Sequence, residues 1–439
     1  MLKMGRASLT AAAGLALVFA GAAEAKKNEW QQVSLGPGGP GSWDIEVNVP
    51  QPGNPEATRI VRPSCSGGPL PGDSPGSLVF APTDYSFFVQ KGNPNRILIA
   101  LDGGGGCWDA ETCIGSPLIG SPTYSPTVNE TEESLAQSQG ILDDKNGSNP
   151  FHNYTKVFIP YCTGDIHWGS RDTWYDLDGE AGPFPALPIY HRGTDNMLAV
   201  LDWLENNGIK LDKAKDVTVA GVSAGAYGAN LAFAYVAQKT GSKARLNLIS
   251  DSGVGVIDDP TPSDNPGNPN PLPFYSEAIY NPAGGESWGV AQNLPFWVFG
   301  PYPEAFLAAS ANNPLQLLPS FFIALGQYKP DAKLAAITTN SDITQVFFYG
   351  LMKGVVPPAP QEFGEWYVAM SNMTGAPAAV LPSYRYFIEN GQCHTFLFFD
   401  DEFYRNGANG TSVADWVTAM IKPGNRAWDY LDAGIPDGT

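Results

Sequence analysis

Histidine is scarce in this chain: four in 439 residues, at 152, 167, 191 and 394. Cysteine is scarce too, with five, and no C-x-x-C pair occurs. Together these shortages argue against a structural zinc site, which needs four closely spaced Cys or His ligands. Cations are outnumbered, 25 Lys and Arg against 44 Asp and Glu, for a formal net charge of −19. Such a surface repels nucleic acid and anionic membrane. Past the N-terminus, no segment reaches the roughly 18–20 continuous apolar residues of a membrane span. No internal repeat is evident. Charged residues make up only 16%, while 49 Gly and 39 Pro favour a loop-rich protein.

The N-terminus carries Lys3 and Arg6, an apolar run from Leu9 to Ala20, and Ala23-Glu24-Ala25. This predicts an export signal over 1–25, cut after Ala25. Its removal would make the charge one unit more negative. Export places the cysteines in an oxidising compartment, where five allow at most two disulfides. Cys107 and Cys113 are close enough to close a small loop. Cys65 with Cys162 is then the natural second pair, leaving Cys393 free.

Residues 26–75, rich in Gly, Pro and Ser, suggest an extended arm tied down through Cys65. Beyond it, strands are expected at 85–90, 96–101, 156–160, 216–220 and 246–250, and helices at 194–207 and 224–238. This alternation argues for a mostly parallel sheet flanked by helices. The pattern breaks between Asp258 and Lys333, where a Pro/Asn-rich loop at 261–273 precedes an aromatic-rich, partly helical stretch. That segment reads as a cap inserted into a domain spanning 76–439. Its aromatics serve either as core or as a face toward substrate. Strands resume at 334–339 and 384–389.

The most informative motif is Gly221-Val222-Ser223-Ala224-Gly225, with a β-prone run before it and a helix-prone run after it. A serine on such a turn is held exposed above a sheet, and glycines flank it because side chains would clash. A serine nucleophile needs a base and an acid to orient that base. In the order Ser, acid, His, only His394 lies downstream of Ser223. Among the acids between them, Asp342 follows a strand and precedes the strand leading to His394. Asp251 sits one strand earlier, and Asp331 precedes its strand. Asp342 could also simply cap a helix at 343–353. The run Gly103 to Gly106 directly follows a strand, with no Gly-Lys-Ser/Thr to make it a phosphate loop. Its backbone N–H groups, with that of Ala224, suit an oxyanion site.

Assembled, these segments resemble the pectin acetylesterase/Notum family of carboxylesterases. The similar segments are LDGGGGCWDAETC (101–113), IPYCTGD (159–165), GVSAG (221–225), DSG (251–253), DITQ (342–345) and QCHT (392–395). The resemblance implies an α/β-hydrolase fold and a Ser223–Asp342–His394 triad. It implies an oxyanion hole from Gly104, Gly105 and Ala224, and the disulfides Cys65–Cys162 and Cys107–Cys113. Ester hydrolysis through an acyl-enzyme follows as the expected reaction, with no cofactor or metal. The expected substrate is an acetylated polysaccharide; the alternatives are longer acyl, lipid or polyester esters, or a binding protein on a dead scaffold. The family's glycine loop usually carries an aromatic where this chain has Gly105 or Gly106, so the pocket wall is expected to differ.

Overall fold

The strands at 97–101 and 217–222 are apolar at all positions but Thr218 rather than alternating, as strands covered on both faces should be. The computed structural model places them side by side in the middle of a nine-stranded sheet. It describes residues 29–38, 43–69, 78–79, 81–115, 121–128, 133–134, 136–176, 186–257, 273–407, 410–422 and 428–434. The expected export signal and nearly all of the loop at 261–273 lie outside the described residues.

We number the sheet strands β1 (Trp30–Leu35), β2 (Tyr85–Gln90), β3 (Asn93–Leu101), β4 (Tyr154–Ile159), β5 (Asp216–Val222), β6 (Arg245–Asp251), β7 (Lys333–Thr339), β8 (Tyr384–Glu389) and β9 (Leu431–Asp432). Their order across the sheet is β1-β2-β4-β3-β5-β6-β7-β8-β9. Strand β2 runs antiparallel to both neighbours, and the other pairs are parallel. With the exchange of β3 and β4 and a strand–Ser–helix turn after β5, this is an α/β-hydrolase sheet. The expected strands fall within a few residues of these bounds.

Register decides where the chemistry can sit. Leu101 pairs with Gly221, Gly221 with Ser250, Asp251 with Ile337, and Thr339 with Glu389. The carboxyl ends of β3, β5, β6, β7 and β8 therefore share one edge, and the loops leaving them converge there.

The flanking helices are α1 (Ala110–Ile114), α2 (Gly193–Asn206), α3 (Ala224–Lys239), α4 (Pro303–Ser310), α5 (Leu317–Tyr328), α6 (Ile343–Met352), α7 (Pro360–Val380) and α8 (Val413–Ile421). Helix α3 is buried along nearly its whole length. Between β6 and β7 the chain leaves the sheet for α4, α5 and short helical turns. Their aromatics form a small core: the ring of Phe299 lies 4.4 Å from Phe321 and 4.7 Å from Phe306, and Phe321 stacks on Trp168 at 5.1 Å. Tyr302, by contrast, is 74% exposed.

The structure forms both disulfides, Cys65–Cys162 and Cys107–Cys113, and leaves Cys393 as a free, half-buried thiol. Burial, with Glu402 beside it, pushes that thiol up to about 12, so it stays protonated. No described helix is long and apolar enough to cross a membrane.

Candidate active site

Ser223 occupies the turn between β5 and α3 at φ 54°, ψ −123°, a left-handed conformation strained for a residue with a side chain. Its neighbours make the turn possible. A Cβ on Gly221 would lie 1.9 Å from the Gly225 carbonyl oxygen, and one on Gly225 would lie 2.2 Å from that of Leu101. A Cβ on Gly103 would meet the Ser223 side chain at 2.7 Å. The glycines are required by closeness, and the strain lifts the Ser223 hydroxyl out of the fold.

His394 lies in the loop after β8. Its Nδ1 is 2.9 Å from both carboxylate oxygens of Asp342, which is fully buried. Asp342 also caps α6, accepting the N–H groups of Thr344 at 3.1 Å and Gln345 at 2.9 Å. The capping role and the histidine contact are thus held by the same carboxylate. The other ring nitrogen of His394, Nε2, is buried without a hydrogen-bond partner. It and Ser223 line the same cavity, with no hydrogen bond between them. Such bonds often tighten only when substrate arrives.

Gly105 and Ala224 line that cavity beside Ser223, while Gly104 sits just behind, against Tyr161. Gly104 at φ 146° and Gly105 at φ 82° take conformations that a side chain would strain. Ala224 opens α3, so its N–H has no intrahelical acceptor. The disulfide Cys107–Cys113 and the capping of α1 by Asp109, which accepts from Thr112 N–H at 2.8 Å, brace the loop.

Three further residues hold the site, and sequence reasoning assigned them no role. Gln345 donates from Nε2 to Asp342 Oδ2 at 2.9 Å and to Thr338 Oγ1 at 3.0 Å, while its Oε1 accepts Val254 N–H at 2.9 Å. Asp251 accepts the N–H groups of Phe396 at 2.7 Å and Leu397 at 2.8 Å. Ser252 Oγ accepts Thr395 N–H at 3.0 Å. The DSG and DITQ segments thereby pin both sides of the His394 loop. Burial raises Asp251 to about 7 against these hydrogen bonds, which pull the other way.

His167 and His191 are buried and structural, whereas His152 is exposed. His167 Nε2 is 2.9 Å from the Asp102 carbonyl oxygen, and burial lowers its pKa to about 4. His191 lies near the sulfurs of Cys107 and Cys113, as a metal ligand might. Those sulfurs are joined in the disulfide, and both ring nitrogens are engaged, with Thr163 O at 2.9 Å and Tyr175 Oη at 2.8 Å.

The cavity beyond Ser223 encloses about 720 Å³, counting its mouth. Trp108, Ile166 and Trp168 line it from the sheet side, Phe274 and Leu318 from the cap segment, and Phe348 from α6. Its wall is mostly apolar, and Ser223, Ala224 and His394 belong to the same lining.

A pectinacetylesterase family model matches residues 82–265. The inactive palmitoleoyl-protein carboxylesterase notum1b of Danio rerio is 30% identical, over 23% of this chain and 70% of that relative. This chain belongs to the pectin acetylesterase/Notum family of carboxylesterases. Pectin acetylesterase 11 of Arabidopsis thaliana is also 30% identical, over 38% of this chain but only 40% of its own length. The Wnt deacylase Notum from Drosophila superposes with a TM-score of 0.47 and 20% identity, over 82% of this chain and 93% of that one. The fold assignment rests on the strand order and not on that likeness.

Proposed function

We propose that the protein is an exported serine carboxylesterase that cleaves its substrate through an acyl-enzyme. Ser223 Oγ attacks the ester carbonyl while His394 Nε2 takes its proton. Asp342 holds Nδ1–H, keeps the ring oriented and stabilises the imidazolium. His394 then gives the proton to the leaving alcohol, and a water, activated the same way, frees Ser223. The Ala224 N–H and the Gly104–Gly105 backbone receive the oxyanion, a contribution on the order of a hundredfold or more in rate per donor. The observation that carries this reading is His394, bound through Nδ1 to buried Asp342 with Nε2 unpartnered in the cavity that Ser223 also lines.

The apolar cavity favours an extended aliphatic acyl group, since each buried methylene contributes about 0.8 kcal/mol. Deacetylation of a polysaccharide is the second reading, supported by the pectinacetylesterase match. Residues 1–25 as an export signal, 26–75 as an N-terminal arm and 258–333 as a cap complete the proposal; two disulfides support an oxidising destination.

The test is hydrolysis of p-nitrophenyl esters from acetate to hexadecanoate, with Ser223→Ala beside wild type. We expect kcat/KM to rise from acetate to octanoate and Ser223→Ala to lose activity. A fall from acetate onward overturns the extended-acyl reading in favour of the second. Wild type that neither cleaves any ester nor reacts with a fluorophosphonate overturns the esterase assignment.

A further inference from the structure

Four tryptophans line the cavity, Trp108, Trp168, Trp288 and Trp366, and the indole N–H groups of Trp168 and Trp288 have acceptors. Trp168 donates to the Tyr227 carbonyl oxygen at 2.7 Å, and Trp288 to that of Cys107 at 2.9 Å. Trp108 is 2% exposed, lines the same cavity, and its Nε1 has no acceptor. A buried donor left unpaired destabilises by about 1–3 kcal/mol, so such groups ask for a partner. The nearby ring of Phe274, edge-on at 5.1 Å, offers at best a weak acceptor.

The backbone that carries the indole is fixed at both ends. The main-chain N–H of Trp108 donates to Thr112 Oγ1 at 2.9 Å, and its carbonyl oxygen accepts from Ser287 Oγ at 3.4 Å. The Cys107–Cys113 bridge starts at the preceding residue. An unpaired donor in a mostly apolar wall is the arrangement that selects a ligand by one polar atom.

We infer that the acyl chain this cavity accepts carries an acceptor oxygen beyond its ester carbonyl, and that Trp108 Nε1–H is the specificity-determining group that binds it. The inference rests on the extended-acyl reading above. It names a class: an aliphatic acyl group interrupted or substituted by an ether, keto, hydroxyl or second ester oxygen. A plain hydrocarbon chain would leave the donor as it is now, unpaired.

The experiment is an oxygen scan. p-Nitrophenyl octanoate is compared with esters of equal length in which one methylene is replaced by an ether oxygen, from the fourth chain atom outward, where the oxygen hardly alters carbonyl reactivity. For wild type, one position should exceed octanoate in kcat/KM by about tenfold, the worth of one hydrogen bond. In Trp108→Phe the ratio of that ester to octanoate should fall to one or below. The ratio within each protein is the readout, so a general loss of activity in the variant does not mimic the effect. A flat scan in wild type overturns the inference without any variant, as does a preference that survives in Trp108→Phe. A wild type that cleaves octanoate with a flat scan overturns this inference alone. One that cleaves acetate and none of the longer esters overturns the extended-acyl reading with it.

Discussion

Asp251 Oδ2 accepts the backbone N–H of Phe396 at 2.7 Å, two residues past His394. A buried carboxyl at the end of β6 thus anchors a loop reached only after β8. Burial raises its pKa from 3.8 to about 7. The unfolded chain loses this proton near 3.8, while the folded chain holds it to about 7. Its contribution to stability is therefore complete below pH 3.8 and is lost as pH rises through 7. We expect the Tm of wild type to lose ground to that of Asp251→Asn across this window. A difference that is constant, or grows in favour of wild type with pH, contradicts it.

Gln345 steadies Asp342 through a bond of 2.9 Å to Oδ2, an oxygen that His394 Nδ1 also meets at 2.9 Å. Gln345→Ala should lower kcat about tenfold, the worth of one hydrogen bond to the proposed orienting acid, with a smaller change in KM. Steady-state kinetics on a single ester checks this. A change confined to KM would make Gln345 a wall residue and not a positioning one.

Two glycines separate crowding from flexibility. Gly221→Ala forces a Cβ to within 1.9 Å of a carbonyl oxygen, whereas nothing lies within 4 Å of a Cβ on Gly364. Gly221→Ala should lose at least about 2 kcal/mol to overpacking and backbone shift. Gly364→Ala, inside α7, should gain up to about 1 kcal/mol from helix propensity. Denaturant titration of both variants gives the comparison, and equal effects would refute the crowding argument.

Val256 is buried and lines the cavity. Val256→Phe should narrow it and lower the octanoate-to-acetate ratio of kcat/KM about tenfold, within the range that small changes in pocket volume produce. An unchanged ratio in a folded variant would place the acyl chain elsewhere.

Much of the site is legible in the sequence because its chemistry is written locally. The turn at Ser223 needs glycines on either side of a strand–helix junction, and that requirement fits in five residues. His394 could be reached by elimination, because only one histidine follows Ser223. Asp342 stood on its position after β7, and it is the carboxylate the fold brings to His394. Asp251 was visible only as part of a similar segment and as an alternative acid, and Gln345 only as part of a similar segment. Their partners are 145 and 91 residues away, and a hydrogen bond to a distant backbone N–H leaves no pattern in neighbouring residues.

Chain order, the strand–serine–helix turn and the supply of histidines were determined by the sequence itself, since each depends on residue type and short-range geometry. Only the tertiary structure decided what surrounds the serine. The cap's aromatics divide between a core around Phe299 and Phe321 and a cavity wall that includes Phe274. Which side of that division a ring falls on depends on how the cap helices pack over the sheet edge, a balance of long-range contacts. The empty donor of Trp108 belongs to that level too. Its sequence neighbourhood is braced and capped, and nothing in it foretells that the indole N–H lacks an acceptor.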